Sequence, residues 1–475
     1  MTLQEILNDI NLPYDIVGDN GVDIKNLSLS SREINHGTCF FAIRGEKSDG
    51  HKFINDAIES GAVCIVCEEI PEAIDKNKAT FVLVKDTHIA IGYFASSFYG
   101  HPSKKMKVIG VTGTNGKTTV ATMIYRALGG FMRKTGLIST VENIIGNEII
   151  ESTHTTPDAI TLQKLLNEMV KSGCEYVVME VSSHSIVQNR INGIVFTGAL
   201  FTNLSHDHLD YHHTIDNYAK AKKMFFDNLP VNCFAITNAD DVYGKSMVAD
   251  CKAHIYTYGF NFNADFSDLI TSKLIGHFNE YNMLAVYAVL KLLEFEPNNI
   301  KNIIKDLPGP KGRFELVYNQ AGIRCIVDYA HTPDGIANVL ESARNLVSDN
   351  GRIITVFGCG GDRDISKRPV MGRLAYDLSD IVIITSDNPR NEDPQKIINE
   401  IKQGLPEINL DSANGQIKQL IFIIDREQAI KKSVSLAKSG DIVMILGKGH
   451  ETYQEIAGVK NHFDDKEVVI NEFKD

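Results

Sequence analysis

Short runs of β-branched and apolar residues alternate with longer stretches of helical pattern along nearly the whole chain, which predicts α/β domains with largely parallel sheets. Val108-Ile109-Gly110-Val111 reads as a buried strand feeding a glycine loop, and Thr119 to Leu128 as the helix that follows. Tyr176 to Val181 and Ala199 to Thr202 are further strands, each with polar residues at its C-terminal end, the edge where such sheets gather ligands. Two clusters break the pattern: His101-Pro102-Ser103-Lys104-Lys105, just before the glycine-loop strand, and Leu307-Pro308-Gly309-Pro310-Lys311-Gly312. Beyond the second, strand ends fall at Ile326-Val327-Asp328, Thr355 to Gly358, Ile383-Ile384-Thr385 and Ile442 to Gly447. Three domains are expected, over residues 1–102, 103–308 and 309–475, with no internal repeat or low-complexity tract.

Length agrees, since 475 residues exceed what one hydrophobic core organises. With 43% hydrophobic and 23% charged residues the chain has ordinary globular composition. A net charge of -12 argues against nucleic acid as a partner, because phosphate backbones need clustered Lys and Arg. It leaves room for one cationic pocket and an anionic substrate. The start Met1-Thr2-Leu3-Gln4-Glu5 lacks the basic and apolar segments of a signal peptide, and no apolar run reaches the roughly 18–20 residues of a membrane span. A cytoplasmic, reduced protein is expected. Of eight cysteines, only Cys64 and Cys67 have C-x-x-C spacing; no second Cys/His pair matches it, so they read as buried strand cysteines.

The strongest chemical signal is Gly110-Val111-Thr112-Gly113-Thr114-Asn115-Gly116-Lys117-Thr118-Thr119, between a strand and a helix. Backbone N–H groups of such a loop cradle phosphates, Lys117 reaches the terminal phosphates and Thr118 can ligate Mg2+. Val111 stands where the P-loop pattern has its first Gly. Next come Glu180-Val181-Ser182-Ser183-His184 and Asn203-Leu204-Ser205-His206-Asp207-His208-Leu209-Asp210-Tyr211-His212. Such a cluster admits a zinc site, a solvated loop, or oxygen-rich ligation of Mg2+ carried by a nucleotide. Beside a P-loop the last is favoured. A hydrolase triad on Ser183 and His184 is disfavoured, because adjacent residues do not readily adopt that geometry. Lys222 and Lys223 read, from the sequence alone, as solvated surface lysines.

These motifs follow one another as in the muramyl ligases, the ATP-dependent enzymes that build the peptide of bacterial cell-wall precursors. The resemblance rests on Gly113 to Thr118, Glu180 to His184, Asn203 to His208, Tyr218-Ala-Lys-Ala-Lys222 and Gly276-His-Phe-Asn-Glu-Tyr-Asn282. The last third adds Asp328-Tyr-Ala-His-Thr-Pro333, Gly358-Cys-Gly-Gly-Asp-Arg363, Asp387-Asn-Pro-Arg390 and Gly447-Lys-Gly-His-Glu451. The likeness covers nearly the whole chain, although the stretch from Tyr258 to Gly276 is short for the family.

The resemblance implies an N-terminal domain for the uridine nucleotide, a central P-loop domain with a parallel sheet for ATP, and a Rossmann-like C-terminal domain for the incoming amino acid. Gly113, Thr114, Asn115, Gly116, Lys117, Thr118, Thr119, Asn279, Arg313 and Asp328 would serve ATP. Thr118, Glu180 and His208 would hold Mg2+, joined by Lys222, whose counterpart in the family is N-carbamylated; Lys117, Glu180, His208 and Lys222 would be catalytic. Ser31-Arg32 and Asp49-Gly50-His51 would lie near the UDP, and Thr155, Thr156, Ser182, Gln188 and Arg190 would hold the muramoyl peptide. Arg363, Asp387, Asn388, Pro389, Arg390, Gly447 and Glu451 would bind meso-diaminopimelate. The implied reaction adds that amino acid to UDP-N-acetylmuramoyl-L-alanyl-D-glutamate through an acyl phosphate, with a monomer expected. Competing expectations are a lysine-adding relative, a folylpolyglutamate synthase and a non-catalytic nucleotide-binding module; the intact Lys117, Glu180, His208 and Lys222 speak against the last.

Overall fold

The computed structural model describes residues 1–45, 48–261, 263–320, 322–406 and 418–474. They form an α/β protein of three domains, each built on its own sheet. The N-terminal sheet runs Tyr14–Val17, Thr80–Val84, Ala62–Cys67, Thr38–Phe41, Asn26–Ser28, parallel except for the first pair. Strand geometry settles the C-x-x-C pair. An odd spacing puts Cys64 and Cys67 on opposite faces, each in a different apolar cluster, so they cannot share a metal or a bond. All eight cysteines are free thiols.

The central sheet has eight strands in the order His254–Tyr258, Phe234–Asn238, Gly198–Phe201, Lys107–Thr112, Tyr176–Glu180, Thr135–Ile138, Glu142–Ile145, Glu148–Glu151. The first six are parallel and the last two form an antiparallel edge. Burial on both faces explains the near-continuous apolar strand at its middle. Ile109 and Val111 pack against the helices Lys117–Gly130 and His277–Leu292, while Val108 packs on the other face. Gly110 also faces that second layer, where a Cβ would come within 2.5 Å of Phe225. After Tyr258 the chain reaches helix His277–Leu292 with only a single bridge, Tyr258 to Phe266, among its described residues.

The C-terminal sheet runs Glu315–Gln320, Ile323–Asp328, Ile442–Leu446, Ile353–Phe357, Ile381–Ile384, Gln419–Phe422, all parallel but the first pair. Four of these strands, ending at Asp328, Phe357, Ile384 and Leu446, deliver the motif loops to one edge of the sheet. That is the ligand-binding edge of an open parallel sheet. It faces the P-loop edge of the central sheet, and Asn115 Nδ2 donates to Asp334 Oδ2 across the gap at 2.6 Å. Among the described residues no helix is long and apolar enough to cross a membrane.

Candidate active site between the central and C-terminal domains

The phosphate loop leaves strand Lys107–Thr112 and turns into helix Lys117–Gly130 within four residues. Val111 is the penultimate strand residue and fully buried, so the position where other P-loops place their first Gly here belongs to the core. The turn itself depends on Gly113 and Gly116, at φ of 147° and 84°. A Cβ on Gly113 would overlap Thr202 Oγ1, and one on Gly116 would press on Asn282 Oδ1 at 2.5 Å. Lys117 Nζ donates to the loop carbonyls of Gly113 and Thr114 at 3.0 and 2.8 Å. Desolvation lowers its pKa, partly offset by the Glu180 and Asp207 carboxylates. Thr118 Oγ1 accepts from Arg313 Nη2 at 3.1 Å, and the Arg313 guanidinium lies 4.5 Å over the Tyr329 ring.

Glu180 ends its strand fully buried, its carboxylate accepting from Thr140 N at 2.8 Å and Thr140 Oγ1 at 3.1 Å. His208 caps a short helix at φ 54°, its Nε2 lying 3.4 Å from Asp207 Oδ2. Its pKa falls to about 3, first through desolvation and then through His184, Lys117 and Lys222, so its ring is neutral at pH 7. The rings of His184 and Tyr218 pack against it, those of Tyr211 and His212 pack in turn on His184, and His212 Nε2 meets Ser183 Oγ at 2.9 Å. That pair is buried, and neither residue lines a cavity. Among the described residues no group of three or more His, Cys, Asp or Glu side chains converges as a metal cage.

The two lysines separate sharply, and the surface reading of Lys222 is wrong. Both lie on helix Ile215–Asp227, but Lys222 is buried against the phosphate loop, its Nζ donating to Gly113 O at 2.7 Å. Burial and the nearby charge of Lys117 push its pKa well below that of an ordinary lysine. Lys223 faces outward and pairs with Asp227 and Asp250, both at 2.6 Å. Adjacent helix positions differ by about 100° in direction, so one lysine of the pair enters the core and its neighbour cannot.

A cavity of about 630 Å3 runs from the phosphate loop across to the C-terminal domain. Thr114 through Thr119, Glu180, His208, Arg313 and Asp328 line it, as do Asn282, Tyr329 and Asp334. Asp328 also shapes its own loop, accepting from Phe314 N at 2.6 Å and Ala330 N at 2.7 Å; burial raises its pKa. Asn279 does not line the cavity. It is buried one helical turn behind Asn282, whose amide donates to it at 2.9 Å, so Asn282 is the residue the sequence reading missed. Both asparagines belong to one motif, and only the helix phase separates them.

A second cavity, about 870 Å3, meets the first at Thr140, Thr155, His208 and Tyr329. From the central domain it takes Thr155, Thr156, Ser182 and Arg190; from the C-terminal domain it takes Arg363, Arg390 and Glu451. Thr156 Oγ1 bridges Glu180 O and Ser182 N at 2.7 and 3.1 Å, holding the strand end, and Ser182 caps helix Ser183–Val187. Gln188 stands behind the wall, its Oε1 accepting from Arg190 Nε at 2.9 Å. Asp387, Asn388, Pro389 and Gly447 also support the wall without lining it. Ser31 lies in a short turn of the N-terminal domain, and no residue before Thr114 lines either cavity.

Comparison with known proteins agrees with this arrangement. Residues 23–99 match the Mur ligase family catalytic domain, 111–290 the Mur ligase middle domain, and 312–449 the Mur ligase glutamate ligase domain. The UDP-N-acetylmuramoyl-L-alanyl-D-glutamate–2,6-diaminopimelate ligase of Cytophaga hutchinsonii is 46% identical over 100% of this chain and 99% of its own. The enzyme of that name from Parabacteroides distasonis is 46% identical over 98% of each. A solved structure of a ligase with this name superposes with a TM-score of 0.68 at 32% identity, covering 100% of this chain and 99% of the other. The chain belongs to the Mur ligase family.

Proposed function

We propose that this protein is the ATP-dependent ligase that joins meso-2,6-diaminopimelate to UDP-N-acetylmuramoyl-L-alanyl-D-glutamate, in the synthesis of cell-wall precursor. One observation carries the reading at the level of the site: the phosphate-loop cavity and the second cavity adjoin, with Thr140, Thr155, His208 and Tyr329 in both walls. A γ-phosphoryl group in the first cavity and a carboxylate in the second would therefore be neighbours. Full-length similarity to ligases of this name supports the choice of substrates.

An unactivated carboxylate does not acylate an amine, because oxide is a poor leaving group. Transfer of the ATP γ-phosphoryl to the D-glutamyl side-chain carboxylate gives an acyl phosphate and ADP. The diaminopimelate amine then attacks the acyl carbon, the amide forms and phosphate departs. The first step needs positioning and charge stabilisation more than a protein nucleophile. Gly116 through Thr119, at the N-terminus of helix Lys117–Gly130, would supply backbone donors, and Lys117 and Arg313 positive charge.

Mg2+ fits the residues present. Thr118 offers a hydroxyl, Glu180 a carboxylate and His208 a neutral imidazole, all on the first cavity. With so few protein ligands, the ion would arrive bound largely by nucleotide phosphates and water, its usual habit. When bound it neutralises phosphate charge. Lys222 is read as carbamylated: its lowered pKa favours the free amine, which can add CO2 and release a proton. The carbamate would give the buried position an anionic oxygen pair.

Ser182 and Arg190, with Thr155 and Thr156, would hold the muramoyl peptide, and Arg363, Arg390 and Glu451 the amino acid. Residues 1–102 would bind the uridine nucleotide through Ser31 and its neighbours, 103–308 ATP and 309–475 the amino acid, with the protein acting as a cytoplasmic monomer. Phosphate release assayed with ATP, the UDP-muramoyl dipeptide and a panel of diamino acids tests the whole. Release should require both acceptor and meso-diaminopimelate. Equal turnover of L-lysine, or release without an amino acid, would overturn the assignment.

A further inference from the structure

Lys448 is fully buried beneath the second cavity, yet nothing in the reaction so far uses it. Its Nζ donates to Asn388 Oδ1 at 3.0 Å and to Glu451 Oε2 at 3.1 Å. Asn388 Oδ1 also accepts from the backbone N of Glu455 at 3.0 Å, which settles the amide's orientation. Its Nδ2 must then point the other way, and it donates to Glu451 Oε2 at 2.7 Å. Two donors thus saturate one oxygen of Glu451. The other, Oε1, has no hydrogen-bond partner among the described residues, and the side chain lines the cavity.

We propose that Lys448 is a positioning residue for amino-acid recognition: it keeps the Glu451 carboxylate anionic and, with Asn388, turns its free oxygen toward the incoming ammonium group. The proposal rests on the reading that the second cavity takes the amino acid.

The charges around Glu451 show why a buried cation is needed there. Burial and the Asp387 carboxylate both push its pKa up, and Lys448 and Asn388 oppose them. Arg390 lies on the adjoining loop, Tyr453 and Glu455 on the antiparallel pair Tyr453–Ile456 and Val459–His462, Tyr329 on the Asp328 loop, Arg313 just ahead of strand Glu315–Gln320, and Arg426 and Asp465 form an ion pair behind the strand ends. His450, beside Glu451, has its pKa lowered to about 3, and the Tyr329 and Tyr453 hydroxyls are raised, so none of these changes charge near neutrality. His154, Lys311 and Lys466 lie elsewhere on the cavity wall and are common to wild type and variant. Without Lys448, burial and Asp387 would push the Glu451 carboxyl up with only Asn388 opposing them, which favours its protonated form. A protonated carboxyl cannot pair with an ammonium group as a carboxylate does.

The test compares Lys448→Met with wild type, following KM for meso-diaminopimelate between about pH 6 and 8. KM for ATP and the thermal midpoint are measured alongside. The variant should raise the amino-acid KM about 10- to 100-fold at pH 7, the scale of a lost hydrogen bond to a charged group, with the excess shrinking as pH rises. KM for ATP should hardly move. A variant profile parallel to wild type would overturn the inference and leave the assigned reaction standing; a wild type that cannot use diaminopimelate overturns that assignment instead. If Lys448→Met does not fold, wild type decides. Its amino-acid KM should stay level from about pH 8 down to about pH 6, and a rise across that window means Glu451 is not held ionised.

Discussion

Truncating Arg390 to Ala is the most direct test of amino-acid choice. Meso-diaminopimelate and L-lysine differ by one carboxylate at the far end of the side chain, so a site separates them only by meeting that charge or by being left with an unpaired group. Arg390 lines the second cavity with its side chain 20% exposed. Among the described residues its guanidinium donates one hydrogen bond to protein, Nη1 to Gly361 O at 2.8 Å, and its Nε lies 3.8 Å from Glu455 Oε2. Much of the planar fork therefore remains for a bidentate carboxylate. Losing one partner of a buried charge pair costs about 2–5 kcal/mol. Partial exposure and the second carboxylate at Glu455 argue for the lower part of that range, roughly 2–3.5 kcal/mol, or about 30- to 400-fold in kcat/KM. Stability should change little, because φ at this residue is 51° and Ala keeps the same left-handed strain that Arg bears. Phosphate release against diaminopimelate concentration measures the loss, with KM for ATP as the control. An Ala variant within about threefold of wild type, or one whose ATP affinity falls equally, would refute the pairing.

Lys222→Ala should abolish turnover while ATP still binds, since the residue sits behind the loop at Gly113 and lines neither cavity; nucleotide titration and phosphate release on one preparation check both, and wild-type turnover would dismiss the carbamate. Glu392 is held at a pKa of about 2, against an ordinary 4.5, chiefly by hydrogen bonding to the buried Arg368. A depressed folded pKa stabilises above the unfolded value and loses its contribution as pH falls through the folded one. Glu392→Gln should therefore cost up to about 3 kcal/mol near pH 7, less what Glu400 still supplies to Arg368, and urea unfolding should show the deficit narrowing below about pH 4.5.

The local motifs carried much of the chemistry, because a phosphate loop is a local object. Strand, two glycines at positive φ and a helix N-terminus lie within one short segment, and the order of residues nearly dictates the cradle. The α/β class was equally legible, since strands buried on both faces write continuous apolar runs. What sequence order could not express is which residues of a motif reach the ligand. Asn279 and Asn282 stand in the same motif, and helix phase alone puts the second on the cavity and the first behind it. Lys222 and Lys223 look alike in a row of letters, but one is desolvated against Gly113 and the other bonds two surface carboxylates. Lys448 was visible within its motif and acquired meaning only when another strand end brought Asn388 against it. Each of these outcomes depends on desolvation and on partners far along the chain, and both come into being only when the three sheets have packed.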